Sequence, residues 1–304
     1  MVFRNIVVVG AGGKLGAPLF QTLLQSNEPK FTVTALIRSS SSYTLPEGVD
    51  QDRAKLAKVD FDDQPGLVNV LRGQDAIVFA FGAGPDLIPT SKTLIDAAIE
   101  AGVKRVIPSE FGNDEIPLTE PLFGNKQVVQ KILQEAASQG KITYTLIRNG
   151  PWFDLGFTLA LGFDIQARTA TLYDNGDRKF HTTTVPSICR AITSLLADSS
   201  QSVNKVVHIH DFFITQLDVL KVTEEITGSK FAITKVDTNE MAKSAMEGLS
   251  RGEFIPQNIF GAIRASVWGE KSAARWDEND DSAALGLGDA DLAKEISKIA
   301  VLSK

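Results

Sequence analysis

Cysteine is all but missing from this chain: among 304 residues there is one, Cys189. A lone thiol closes no intramolecular disulfide, so the fold must rest on its own core, and a reducing compartment, the cytoplasm, is the expected home. Long apolar runs are missing too. The N-terminal run 6–9 ends at glycines and reads as a strand, and no stretch approaches the roughly 20 apolar residues of a membrane span. Against a formal net charge of -6 there is no long basic cluster, which argues against nucleic acid as a partner and for a small molecule. Neither nucleic acid nor membrane is expected as a partner, and the chain is expected as a monomer or homodimer.

Several catalytic signatures are also absent. Of three tyrosines, Tyr43 is followed at plus four by Glu47, Tyr144 by Arg148 and Tyr173 by Asp177. The tyrosine–lysine pair of common short-chain dehydrogenases is therefore not there. Without a GxSxG turn, Ser109 is a poor hydrolase nucleophile. His208 and His210 stand two apart on an expected strand and face one way, but no third ligand lies near in sequence and neither HExxH nor CxxC occurs, so no metal is expected. His181 is left as a pocket candidate without assigned chemistry.

What the chain does have is an alternation of short apolar runs with longer segments of helical period, the mark of a parallel sheet covered on both faces. Strands are predicted at 5–9, 32–37, 57–60, 76–80, 105–108 and 143–147, with helices at 14–25, 66–72, 91–101 and 121–137. Such crossovers imply a doubly wound α/β fold. After Pro151 the order loosens. Strands at 170–173, 206–210 and 231–236 mix with helices at 186–196, 215–227, 239–247 and 290–302. The expected division is a dinucleotide-binding domain over 1–152 and a smaller α+β substrate domain over 153–304, partly interleaved with the main sheet. Residues 39–42 and 277–281 read as solvated loops.

The first strand runs into VVVGAGGKLG, with glycines at 10, 12, 13 and 16. A GxGxxG reading fails at Leu15, whereas GxxGxxG fits Gly10, Gly13 and Gly16. The logic survives the respacing: a tight turn, a backbone that a pyrophosphate can approach, and close packing of helix on strand, with the helix N-terminus facing the anion. Ala11, Lys14 and Leu15 belong to the same turn. After the second strand comes Arg38 and then four serines, with no carboxylate before Glu47. A 2'-phosphate would meet a cation and hydroxyls there, so NADPH is expected over NADH. Asp60 and Phe61 can flank an adenine ring, although Phe61 can equally be core.

Two lysines share the segment PLFGNKQVVQKIL. At roughly 100° per residue, Lys131 lies about 130° from the centre of the apolar arc and Lys126 about 90° from it. Lys131 should point to water, while Lys126, at the border, can reach a cleft. It sits near the helix start if Asn125 caps the helix, or in the second turn if Pro121 opens it, and in both cases the positive end of the helix dipole disfavours its charge.

Together these stretches resemble the NmrA-like, isoflavone reductase-like branch of atypical short-chain dehydrogenases, with phenylcoumaran benzylic ether and pinoresinol-lariciresinol reductases among its members. The resemblance rests on VVVGAGGKLG, on Arg38, on VKRVIPSEFGND at 103–114 and on the lysine helix. It reaches the second half only in outline, through DNGDRKFHTTTVPSICRAI and NKVVHIHDFFIT. It implies a Rossmann fold and an NADPH-dependent reductase of a small, aromatic or conjugated metabolite, with Lys126 as the residue that handles the proton. A second basic residue near the 2'-phosphate is also implied, and Arg53 and Lys55 are its nearest candidates. Loops at the strand ends should supply Phe81, Gly82, Ser109, Glu110 and Phe111 to the cofactor, and Asn149, Trp152, Phe153 and His181 to the substrate pocket. The aromatics among them can instead simply pack the domain interface. The alternative function is a non-catalytic NAD(P)-binding sensor of NmrA type, which needs the glycine turn but no proton donor.

Overall fold

The computed structural model describes residues 2–82, 84, 86–114, 124–270, 272–276 and 279–302. In chain order the first half gives β1 (Asn5–Val9), α1 (Gly16–Gln25), β2 (Thr32–Arg38), β3 (Ala54–Val59), α2 (Gln64–Leu71), β4 (Ala76–Phe79), α3 (Leu87–Ala101), β5 (Arg105–Ile107), α4 (Gly124–Ser138) and β6 (Thr143–Arg148). The second half gives β7 (Phe163–Asp164), β8 (Thr169–Tyr173), β9 (Phe180–Thr182), α5 (Val185–Ala197), β10 (Lys205–His208), β11 (Phe212–Ile214), α6 (Gln216–Thr227), β12 (Ala232–Val236), α7 (Thr238–Ser250), α8 (Pro256–Trp268) and α9 (Leu292–Leu302). Residues 121–123 of the expected lysine helix, and Asp277 and Glu278 of the acidic loop, lie outside the described residues. Among the described residues no helix is long and apolar enough to cross a membrane.

Two compact units emerge. The first comprises 1–110, 123–147 and 189–207, and the second 111–122, 148–188 and 208–304. The chain changes unit after residues 110, 122, 147, 188 and 207, the fourth of these within α5.

The first unit is built on a sheet in the order β10-β6-β5-β4-β1-β2-β3, and the pairings from β3 across to β6 are parallel. β1 is NIVVV, β-branched and buried along nearly its whole length, as a central strand covered on both faces demands. β3 is an edge strand, and Lys55 and Lys58 stand exposed on it, a common protection against edge-to-edge pairing. The order reverses between β1 and β4, which places the glycine turn at the switch point where ligands bind in such sheets. α3 ends on Gly102 with φ 78°, the left-handed cap that glycine favours.

The far edge is closed by β10, where the Asn204 amide donates to the Tyr144 carbonyl at 2.8 Å. Arg105 fixes this return. It is 2% exposed and donates to Thr143 Oγ1 at 2.7 Å, Thr145 Oγ1 at 2.8 Å, Ser202 Oγ at 3.1 Å and the Ser199 carbonyl at 3.2 Å. Burial pushes its pKa down to about 10, still far above neutrality, so a cation holds the segment Ser199–Ser202 onto the sheet.

The second unit carries a sheet in the order β12-β8-β7 and a two-stranded pair of β11 with β9. Around them lies an aromatic core in which Trp268, fully buried, packs at 4.6 Å from Tyr173 and 4.9 Å from Phe180. The short strands β7, β9 and β11 and the helix α8 were not anticipated from the sequence. β9 and β11 have only three residues each, too few to show a period.

Candidate functional site

The glycine turn is shaped by main-chain crowding. Gly10 has φ 86°, and a Cβ there would stand 2.7 Å from the Ala80 carbonyl oxygen. A Cβ at Gly16 would fall 2.0 Å from the Gly10 carbonyl oxygen, so α1 can start this close to β1 only through a bare Cα. The Gly13 amide donates to the Gly10 carbonyl at 2.9 Å. Among the described residues, the amides of Gly12, Lys14 and Leu15 meet no backbone acceptor. N–H groups left without a backbone acceptor at the entrance of a helix are donors suited to an anion.

A cleft of about 780 Å³ opens beside the turn, entirely within the first unit. Of the residues expected at a cofactor, Gly10, Gly13, Arg38, Phe61, Phe81 and Gly82 line it. Ala11 and Leu15 are buried within the turn, and Lys14 and Asp60 are exposed outside the lining. Ser40, Ser41 and Ser42 line the cleft beside Arg38, whose guanidinium carbon lies 5.6 Å from the Phe61 ring centroid. Phe61 is thus only partly buried and stacks under a cation. Arg38 also meets Asp86 at 4.0 Å, both side chains being well exposed. No carboxylate follows Arg38 in the chain before Glu47, and the one that meets it in space, Asp86, comes from the start of α3.

The two candidates for a second basic residue lie elsewhere. Arg53 donates to the carbonyls of Phe31 at 2.8 Å, Ser26 at 3.2 Å and Leu23 at 3.4 Å, which ties the end of α1 to the sheet. Lys55 is exposed on β3 and does not line the cleft. Two residues not singled out from the sequence appear instead. Tyr43 lines the cleft, and Lys58 Nζ donates to the Ser41 carbonyl at 3.1 Å.

Beside the cleft runs the loop after β5. The Ser109 hydroxyl donates to the Phe81 carbonyl, and the Glu110 amide bonds the Pro108 carbonyl at 2.8 Å. Lys126, partly buried in the first turn described for α4, donates from Nζ to the Glu110 carbonyl at 2.9 Å. Lys131 is exposed. The helical arc thus separates the two lysines as the spacing predicts.

The remaining candidates belong to the second unit. Phe111 is mostly buried, and Gly112 just beyond it pairs with Arg148. Asn149 is fully buried, with Nδ2 on the Gly150 carbonyl and no partner on Oδ1. Trp152 is partly buried. Phe153 is fully buried between Phe157 and Phe212, the position of a core residue. His181 is stacked between Phe213 at 4.3 Å and Trp276 at 4.6 Å, with His210 at 4.4 Å. His208 Nε2 meets Asp114 at 3.1 Å and His210 Nδ1 meets Asp280 at 3.4 Å. Burial pushes the Asp280 carboxyl up, but the Ser282 donors and the charge of His210 and His181 outweigh it and hold it below its ordinary value. Among the described residues no group of three or more His, Cys, Asp or Glu side chains is placed to hold a metal ion.

Sheet order and glycine turn together define a Rossmann-type α/β protein with its glycine turn at the switch point. The chain belongs to the NmrA-like family, which it matches over residues 4–283. It is 31% identical over 256 residues to oxidoreductase aprR of Aspergillus flavus, covering 83% of each chain. With the isoflavone reductase homolog IRL of Zea mays it shares 29% over 288 residues, covering 88% of each. The solved structure of AtPrR2 with NADP+ and (+)-pinoresinol has the same fold, with a TM-score of 0.79 at 20% identity, covering 98% of this chain and 99% of that one.

Proposed function

We propose that this protein is an NADPH-dependent reductase of a small aromatic or conjugated metabolite in which Lys126 handles the proton. An oxidoreductase of the isoflavone reductase and pinoresinol reductase type is what the names of its relatives support. NADPH as the cofactor is supported by the bound NADP+ of the AtPrR2 structure and by the fit of this chain's own residues. Bare Cα atoms at Gly10 and Gly16 leave the main chain approachable, and unpartnered amides of the turn can receive a pyrophosphate. Arg38 and the serine hydroxyls can receive a 2'-phosphate.

When bound, the cofactor supplies a hydride. What the protein must add is a proton for the substrate atom that gains charge. Lys126 Nζ is the candidate donor, and the observation that carries the assignment is its bond to the Glu110 carbonyl. That carbonyl sits next to Ser109, whose hydroxyl grips Phe81 at the cleft wall. The ammonium is therefore fixed to the loop that is itself fastened beside the cofactor cleft. Reach of a donor to the developing charge is the requirement for general acid catalysis, worth about 100- to 10,000-fold in rate. An aromatic or conjugated substrate is supported by the pinoresinol in the AtPrR2 structure and by the aromatic character of the second unit.

Lys126→Ala should lower NADPH-consuming turnover of a conjugated phenolic substrate by at least about 100-fold, while fluorescence titration shows NADPH binding as before. Normal turnover by the variant would remove Lys126 from the chemistry. No turnover by the wild type on any conjugated substrate, with NADP+ and NADPH binding at clearly different affinity, would turn the reading to a sensor.

A further inference from the structure

The three histidines of this chain gather around one ring of the second unit. Trp276, 5% exposed, stacks on His181 with centroids 4.6 Å apart and planes 13° from parallel, and His208 lies 5.3 Å from it. Phe213 covers the other face of His181 at 4.3 Å, because β9 and β11 pair these two residues in register. His210 stands 4.4 Å away. Residues 273–276 and 280–282 are tied to this cluster. The Asp114 amide donates to the Ala273 carbonyl at 2.7 Å, the His181 amide to the Ala274 carbonyl at 2.8 Å and the Asp281 amide to the His208 carbonyl at 2.9 Å. The His208 amide donates to Asp281 Oδ2 at 2.9 Å and the His210 amide to Ser282 Oγ at 2.8 Å.

One tie differs in kind. The Trp276 amide donates to His181 Nδ1 at 3.3 Å, and a ring nitrogen accepts only while it carries no proton. The bonded ring is therefore neutral, with its proton on Nε2. It is 3% exposed and covered by rings on both faces, so a proton at Nδ1 would remove the bond and bring charge into an apolar place. Among the described residues, Lys179 and Arg275 lie 5.3 Å and 5.7 Å from the Phe213 ring centroid and add positive charge beside the stack. Negative charge enters with Asp280, 3.4 Å from His210 Nδ1, and with Asp281. Asp114 is held by His208 at 3.1 Å and Arg148 at 3.7 Å, and Asp211 bonds the Thr184 amide and hydroxyl. Acid strengthens the histidine–carboxylate pairs and opposes the bond at His181. The His210–Asp280 pair is partly exposed, and such pairs contribute little, whereas a buried donor stripped of its acceptor costs more.

We propose that the bond from the Trp276 amide to His181 is a proton-operated latch, closed while the His181 ring is neutral and released when that ring takes up a proton, so that acid frees Arg275 and Trp276 from β9 while residues 281–282 stay bound. The sign follows from counting protons. The released form binds one more proton at His181 than the latched form, so falling pH favours release. A histidine places the change between about pH 5 and pH 8. The latch is independent of the cofactor reading above.

The test is magnetic resonance and hydrogen exchange on the intact chain. At about pH 7.5 the imidazole nitrogens of His181 should report a bare Nδ1 and a protonated Nε2, and a proton on Nδ1 there overturns the latch without any variant. Between about pH 7.5 and about pH 5.5, exchange of the Trp276 amide should quicken about tenfold beyond its intrinsic pH dependence, while the amides of β8 keep their protection. Unchanged or slower Trp276 exchange, or loss of protection at β8 in step with it, overturns the proposal. His181→Phe keeps a ring in the stack and removes the acceptor, so Trp276 exchange should be fast throughout and follow the intrinsic pH dependence alone. His210→Gln removes the competing titration and should leave the acceleration in place, and its disappearance in that variant would assign the switch to the Asp280 pair instead.

Discussion

The first unit buries aliphatic side chains on a regular parallel ladder, among them Val7, Val9, Leu36, Ile77, Leu94 and Leu146. The second buries rings, including Phe153, Phe157, Phe163, Tyr173, Phe180 and Trp268, around strands of only two to five residues. In one the backbone sets the geometry and side chains fill space. In the other, ring shape carries the geometry that short ladders cannot. The candidate site residues follow the same division. The glycine turn works through main-chain amides and missing side chains, whereas His181 has its place because two flat rings hold it.

That comparison can be broken at the aromatic core first. Trp268→Ala should cost about 3–5 kcal/mol of stability in denaturant unfolding and leave the NADPH dissociation constant unchanged. A tenfold loss of cofactor affinity in the folded variant would show that the two units are energetically one. The complementary test is Arg105→Met, expected to cost about 2–3 kcal/mol because Thr143, Thr145 and Ser202 lose a buried donor. This loss should fall on the first unit, read as reduced hydrogen-exchange protection along β5, β6 and β10. Protection lost equally across β8 and β12 would sink that assignment.

The smallest effect sharpens the picture at the open end of the sheet. Asp75 accepts from the amides of Arg4 and Asn5 and, at 2.7 Å, from Lys104 Nζ. Burial pushes its carboxyl up, but these donors outweigh it and hold the pKa below the ordinary 3.8. A carboxylate with a depressed folded value contributes stability above its unfolded pKa and loses it as the pH falls through the folded one. Asp75→Asn should therefore cost under about 1 kcal/mol at pH 7, given the exposed lysine partner. The gap to wild type should close at pH values below 3.8. A gap that persists at pH 2 would mean the amides, and not the charge, carry the effect.

Legibility in the sequence follows the same physical line. The run 5–9 could be read because a buried central strand is a continuous β-branched run, and the glycine turn because its spacing answers to a backbone constraint. Lys131 could be assigned to solvent because a helix has a fixed period. Tyr43 and Lys58 could not, since a loop tip resting on Gly12 and an amine reaching from the next strand leave no periodic trace. The stack of His181 with Trp276 joins residues far apart in the chain and was equally hidden. One miss had a signal: α8 opens with Pro256 at its first position, the ordinary place for proline in a helix, and the helical period runs on to Trp268.

The pair of Arg38 with Asp86 alters what arrival of a nucleotide means at this surface. The guanidinium does not wait bare in water. At 4.0 Å, with both partners exposed, the carboxylate is a weak tenant that orders the arginine at little energetic expense. A phosphate arriving at Arg38 would replace one anion by another, with the exposed Asp86 carboxylate as its competitor for the guanidinium.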